Sequence, residues 1–382
     1  MAVYLDCNAT TPIDPRVRDI VIQYMTVEFG NAGSRTHEFG TYAKAAVQRA
    51  RGQIADALAA ARDEITFTSG ATESNNIAIL GLAEHGRASG RRHIVTTAIE
   101  HKAVLEPILS LQARGFEVTL VPPRHDGTVD PDALIEALRA ETLLVSVMHV
   151  NNETGIIQPI EQICTALRNH VAYFHVDAAQ GFGKENIQTL HNKRVDMISI
   201  SGHKIYAPKG IGALMARRRG IERIPLKPLF HGGGQERGLR PGTLPVPLIA
   251  GLGLAAELAV QEAESRATAC RVFRKRLLNA LAPLSPLFNG DPERMLPNTV
   301  NLTFPGIDSE AVMLAWKHFA AVSNGSACTS HSYEPSHVLK AMGLSQDRIK
   351  GAIRLSWSHM TDDPQWDSMK RALDGIALPG FI

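Results

Sequence analysis

Along this chain, short runs of β-branched and apolar residues alternate with longer stretches in which apolar positions recur every three or four residues. Strand-like runs fall at 3–5, 64–68, 93–98, 116–121, 143–150, 172–177 and 195–201, and helical patterns at 17–25, 42–60, 131–140 and 159–169. The alternation, with strands rich in Val and Ile, predicts an α/β protein whose mostly parallel sheet is covered on both faces. Ligands in such sheets gather at the carboxyl ends of the strands. His101, Asn151, Asn152, Asp177, Gln180 and Lys204 all lie at those ends.

Beyond Arg240-Pro241-Gly242-Thr243, one long helix is expected from 247 to 282, of a length suited to connecting two domains. Strands at 298–304 and 352–356 and helices at 309–319, 334–341 and 364–373 then predict a smaller α+β lobe. The glycine-rich GGGQERG at 232–238 neither follows a strand nor opens a helix, which excludes a dinucleotide motif and leaves a flexible loop.

Length and composition agree with this division. At 382 residues the chain exceeds what one growing core accommodates, and 44% hydrophobic residues is ordinary for a globular protein. Forty Lys and Arg against 38 Asp and Glu leave +2, so no global field draws nucleic acid or an anionic membrane, and no direct nucleic-acid contact is expected. The start, MAVYLDCNATTP, has no basic and apolar leader, and the longest apolar run, 248–256, is too short to span a bilayer; the expectation is a soluble, cytoplasmic protein. Cys7, Cys164, Cys270 and Cys328 lie far apart with no spacing that makes a zinc site, so no metal is expected and the thiols are read as free.

The candidate chemistry centres on VDMISISGHKIYAPKGIG at 195–212. Lys204, just past a buried strand and flanked by Gly202 and His203, is placed to hold an aldehyde as an imine. Asp177 ends the preceding strand. A pyridine aldehyde needs such a lysine, a carboxylate to keep its ring nitrogen protonated, and an anion site for its phosphate. Residues 64–74 read strand, Ser69-Gly70 turn, then Ala71-Thr72-Glu73-Ser74 opening a helix, whose end presents unpaired N–H groups and a positive dipole. An N-cap without a ligand is the competing account of Thr72. Ser201 and His203 could join the anion site, and His101 is a candidate flat group over the ring. Cys328 sits in SNGSACTS with no apolar neighbours, which marks an accessible loop thiol. Arg354, in the apolar run AIRLSWS, would grip a substrate carboxylate with its fork or close an internal salt bridge.

TSGATESNN, IEHKAVLEP, HVNNETG, HVDAAQ, SGHKIYAPKGIGAL, HGGGQERGLRPGTLPV and SNGSACTS, in this order, resemble the cysteine desulfurases, pyridoxal-phosphate enzymes of aminotransferase class V. The resemblance implies the aspartate-aminotransferase-like fold type I: a large domain over 14–257 with a mostly parallel seven-stranded sheet, and a small α+β domain from 1–13 and 258–382 carrying the cysteine loop. It implies that Lys204 binds pyridoxal 5'-phosphate covalently, that His101 stacks on the ring, and that Asp177 pairs with its nitrogen. Gln180 would contact the phenolic oxygen; Ala71, Thr72, Ser201 and His203 would hold the phosphate, joined by Thr243 from the other subunit of a homodimer. Asn152 and Arg354 would bind the substrate carboxylate, and Cys328 would take sulfur from L-cysteine as a persulfide, leaving L-alanine and passing the sulfur to an acceptor protein.

DCNATTP, IEHKAVLEP and RPGTLPV look most like the subgroup serving DNA phosphorothioation. The alternatives are a housekeeping donor for iron–sulfur clusters and tRNA thiolation, and a selenocysteine lyase. Pro241 replaces the Ser usual in the housekeeping Arg-Ser-Gly-Thr, removing a hydroxyl and an N–H beside Thr243.

Overall fold

A computed structural model describes residues 2–324, 335–374 and 376 of the chain. Its strands are β1 (Val3–Tyr4), β2 (Ile65–Thr68), β3 (His93–Thr97), β4 (Glu117–Val121), β5 (Thr142–Met148), β6 (Tyr173–Asp177), β7 (Met197–Ser201), β8 (Gly212–Ala216), β9 (Leu287–Phe288), β10 (Thr299–Thr303), β11 (Ala320–Ala321) and β12 (Ala352–Ser356). Seven of them form one sheet in the order β2-β8-β7-β6-β5-β3-β4. The pairs β3–β4, β3–β5, β5–β6 and β6–β7 are parallel, while β8 runs antiparallel to both neighbours, β2 and β7. Because β8 alone is reversed, the carboxyl ends of the other six strands share one edge.

Side chains on a strand point alternately to opposite faces, and here both faces are covered. Val95, Val145, Ile198 and Met215 enter one core with helices Pro15–Thr26, Glu38–Ala57 and Val246–Gln261; their neighbours Ile94, Leu144, Met197 and Leu214 enter another with helices Ala71–Leu80 and Lys102–Gln112. Two-sided burial is why these strands read as continuous apolar runs. β8, with the sequence GALMA, carries no such run and is not predicted from the sequence; its place is set by pairing on both edges.

A second, antiparallel sheet of order β12-β10-β9 and a parallel pair β1–β11 pack on a separate core that includes Leu5, Phe273, Leu302, Trp316, Leu355 and Trp357. The N-terminal segment therefore leaves this core at Leu5 and runs toward the large sheet.

Two expectations are corrected. The single helix over 247–282 is two, Val246–Gln261 and Ala263–Leu281, bent by 74°. Glu262 sits at the break in a non-helical conformation, and its carboxylate accepts from Arg16 at 2.6 Å and Arg266 at 2.9 Å, which fixes the corner. No single helix among the described residues is long and apolar enough to cross a membrane. The GGGQERG segment is anchored rather than loose: Glu236 is buried and bonds Arg51 at 2.5 Å and 2.9 Å, and also accepts the Phe67 N–H at 2.8 Å on edge strand β2. Glu236 and Arg237 take left-handed backbone conformations, which a charge pattern does not announce.

Truncating one member of a buried ion pair leaves the other charged and desolvated. Glu236→Ala is expected to cost roughly 3–5 kcal/mol in denaturant unfolding, with Arg51→Met/Glu236→Leu recovering most of the loss.

Candidate active site

The edge at which the six strands end opens into a cavity of about 440 Å3, within the size range of small-molecule sites. Ala71, Thr72, His101, Asn152, Asp177, Gln180, Ser201, His203, Lys204 and Arg354 all line it. Thr243 is exposed and outside the cavity, and Cys328 lies outside the described residues.

The anion end is built from two glycines and a helix. Thr68 and Ser201 both pair with Gly212, across β8. A Cβ on Gly212 would sit 2.6 Å from the Gly70 Cα, so only glycine lets β8 approach the turn that opens helix Ala71–Leu80. Gly70 is the N-cap and no side chain caps this helix. The N-cap account of Thr72 is therefore not realised, and the first-turn N–H groups face an anion's place between Thr72, Ser201 and His203. Burial, helped by the positive Lys204, pushes His203 down to about 4, so it is neutral at physiological pH.

Asp177, at the end of β6, accepts from Asn75 Nδ2 at 2.8 Å and from the Ala179 N–H at 2.9 Å. It is thereby fixed under the cavity. Asn75 Oδ1 is buried with no hydrogen-bond partner among the described residues. His101 caps helix Lys102–Gln112, its Nδ1 accepting the Ala103 N–H at 3.0 Å, so the neutral ring carries its proton on Nε2. Burial holds this histidine below its ordinary value, against the pull of Asp177.

Lys204 Nζ donates to the main-chain carbonyls of Asn8 at 2.5 Å and Ala9 at 2.8 Å. Asn8 O also accepts Gln180 Nε2 at 2.8 Å. Of the two accounts of Arg354, on β12, the internal salt bridge is realised: Nη2 pairs with Asp6 at 2.6 Å and Nη1 donates to Asn152 O at 2.9 Å, while Nε is buried without a partner among the described residues.

Sequence reasoning passed over Asn8, Asn75, Glu100 and Lys184. Asn8 works through its carbonyl oxygen, which has no side-chain signature; Asn75 lies in the TESNN motif as one polar residue among several. Glu100 is fully buried beneath His101, accepting from Thr97 and from the Met148 N–H, and burial pushes its carboxyl up to about 8. Cys7, Cys164 and Cys270 are buried free thiols, with burial raising Cys7 to about 11 and Cys164 and Cys270 to about 12, which suits packing and not nucleophilic work. Among the described residues no cluster of His, Cys, Asp and Glu could hold a metal.

The model of the class-V aminotransferases matches residues 3–367. The chain belongs to this family. It is 46% identical over 370 residues to the cysteine desulfurase IscS of Pectobacterium carotovorum subsp. carotovorum strain PC1, covering 96% of this chain and 90% of that one. Among solved structures it is similar to DndA from Streptomyces lividans, at 52% identity and TM-score 0.81 over 93% of this chain and 99% of that one. It also superposes on a NifS-like protein at 37% identity and TM-score 0.88, over 99% and 98%. The fold is type I of the pyridoxal-phosphate enzymes, as the sequence resemblance implies, and pyridoxal phosphate is the family's cofactor. The cavity fits that group on three counts: an uncapped helix end beside hydroxyls, a buried carboxylate held by two donors, and a lysine lining the same cavity.

A buried acid whose folded pKa is raised binds more protons folded than unfolded, so its contribution declines as pH rises from the unfolded value near 4.5 through the folded value near 8. Glu100→Gln, which keeps the neutral shape, is expected to flatten that decline. Urea unfolding at a series of pH values checks it: the variant should gain on the wild type as pH rises from about 4.5 to about 8.

Proposed function

We propose that this chain is a cysteine desulfurase that converts L-cysteine to L-alanine and carries the sulfur as a persulfide on Cys328. The observation that carries this reading is the convergence of Lys204, Asp177, His101, Thr72 and Arg354 from separate segments on one cavity. The similarity to cysteine desulfurases over nearly the whole chain supports it.

When bound, the cofactor supplies an electron sink for charge developing at the substrate Cα. The chain's residues do the rest. Lys204 would hold the cofactor's aldehyde carbon, and its Nζ would move the substrate Cα proton. Asp177 would pair with the pyridine nitrogen, and His101 would cover the ring. Gln180 donates toward the phenolic oxygen. Ala71 and Thr72 at the helix end, with Ser201 and His203, bind the phosphate, and Thr243 joins from the second copy of a homodimer. Arg354 and Asn152 would receive the substrate carboxylate. Cys328, as a thiolate, attacks the substrate sulfur; the carbon–sulfur bond breaks, its electrons return to carbon, and protonation gives alanine. The chain is read as a large domain over 14–257 and a small one from 1–13 and 258–382; the core around Phe273, Trp316 and Trp357 supports this division, while Val338, Leu339, Met342, Ile349 and Ala352 pack into the large-sheet core and tie the two together.

The sulfur's destination is read as DNA phosphorothioation, through an acceptor protein in the cytoplasm. Identity to DndA, at 52%, exceeds the 46% to IscS, and Pro241 stands where the housekeeping pattern has Ser. The specific observation on the other side is that the IscS match covers 96% of the chain, which keeps the iron–sulfur route as the second reading.

The protein is expected to absorb in the near-visible with pyridoxal phosphate. Lys204→Ala should lose that covalent chromophore. Cys328→Ala should keep it and lose sulfide release from cysteine in the presence of a reductant by at least about a hundredfold. Full turnover in Cys328→Ala overturns the reading. Radiolabelled sulfur passed from cysteine to a DNA-modification protein, and not to an iron–sulfur scaffold, decides the route.

A further inference from the structure

Gln180 belongs to the turn that follows β6, where the Phe182 N–H bonds Ala178 O at 2.9 Å and the Lys184 N–H bonds Gly181 O at 3.1 Å. Gly183 is left-handed at φ 71°, and a Cβ there would lie 2.7 Å from Ala259. That reversal returns the Lys184 side chain to Gln180, and its Nζ donates to Gln180 Oε1 at 2.9 Å. Among the described residues this is the one hydrogen bond the Lys184 side chain makes, and no carboxylate lies within ion-pair distance of it. Asp177 is occupied by Asn75 and Ala179, and the nearby cations Lys204 and Arg354 only repel.

A side-chain amide can be turned either way, and its orientation is set by its neighbours. The Asn8 carbonyl has no donor and demands the amide nitrogen, while Lys184, which burial pushes down to about 7, keeps N–H donors in either protonation state and gives one to the amide oxygen. The two agree, and the N–H end meets the cavity-lining segment that also holds Lys204.

Resting on the reading of the cavity as a pyridoxal-phosphate site, we propose that Lys184 is a positioning residue: by holding Gln180 Oε1 it keeps the amide's N–H end, which meets the Asn8 carbonyl at the cavity, available to the cofactor's oxygen. The reversed amide would present a carbonyl oxygen to that electron-rich oxygen. Lys184 lies outside the cavity lining, so its effect passes through Gln180.

The test is a double-mutant cycle read by titrating the apoprotein with pyridoxal phosphate and by the absorption maximum of the loaded protein. Lys184→Met is expected to weaken cofactor binding roughly tenfold and shift the maximum. Gln180→Ala should do the same, and the double variant should be no weaker than Gln180→Ala alone. Lys184→Gln retains a donor and should stay within about threefold of the wild type; it carries the test if Lys184→Met does not fold, as judged by circular dichroism of the apoprotein. Independent, additive effects of the two positions overturn the proposal, as does unchanged binding and spectrum in Lys184→Met, or a folded Lys184→Gln as weak as Gln180→Ala. A wild type that takes up no pyridoxal phosphate would instead refute the reading of the site itself.

Discussion

The main-chain oxygen of Asn8 is the point on which the two halves of the site depend. It accepts from Lys204 Nζ and Gln180 Nε2, both on loops at the ends of large-sheet strands. Asn8 is also tied to the smaller sheet, its N–H reaching Ser356 on β12 at 2.8 Å and its Oδ1 accepting from Thr299 on β10 at 3.2 Å, while its Nδ2 donates to Asn152 O at 3.2 Å on the large-sheet side. A buried carbonyl with two donors has no spare capacity. The position of the lysine is thus set jointly by both sheets, and any displacement of one against the other is felt first at the amine.

The electrostatics around that point are unusual in how much of them is neutral. Burial drives His203 to about 4 and Glu100 to about 8, on opposite sides of neutrality but each toward its uncharged form. Fully buried His149 and His175 are likewise pushed to about 4. Among the described residues the one close ion pair at the cavity is Arg354 with Asp6, and burial pushes even Lys184 down to about 7. A substrate or cofactor entering such a place meets few competing charges, and each fixed dipole acts in low dielectric, where it is strongest.

Much of this was legible in the sequence because parallel strands buried on both faces must be apolar throughout, and because their ends must carry the polar residues. Lys204, Asp177, His101 and Thr72 stand out for that reason. What was not legible acts through the backbone or through distance. β8 has five residues and no periodicity, being defined by two neighbours; Asn8 contributes a carbonyl; Glu236 finds Arg51 across 185 residues. The break at Glu262 is hidden since helix-forming residues continue through it and only the partners Arg16 and Arg266 make the bend favourable. The amide network of Gln180 and Lys184 is half legible: the spacing of four residues is visible, the left-handed Gly183 that makes it a contact is not.

Arg354 shows why a structural and a functional reading of one residue need not compete. A guanidinium that met the substrate alone would be mobile before binding, and ordering it would consume affinity. Asp6 and the Asn152 carbonyl hold the two terminal nitrogens, from the N-terminal segment and from the loop after β5, so the group is oriented before any ligand arrives. The salt bridge holds the guanidinium in one orientation at the cavity wall. Asp6 lies two residues before Asn8, so the short N-terminal segment that fixes the lysine also fixes the arginine, and the distance between amine and guanidinium is set by a few residues of backbone.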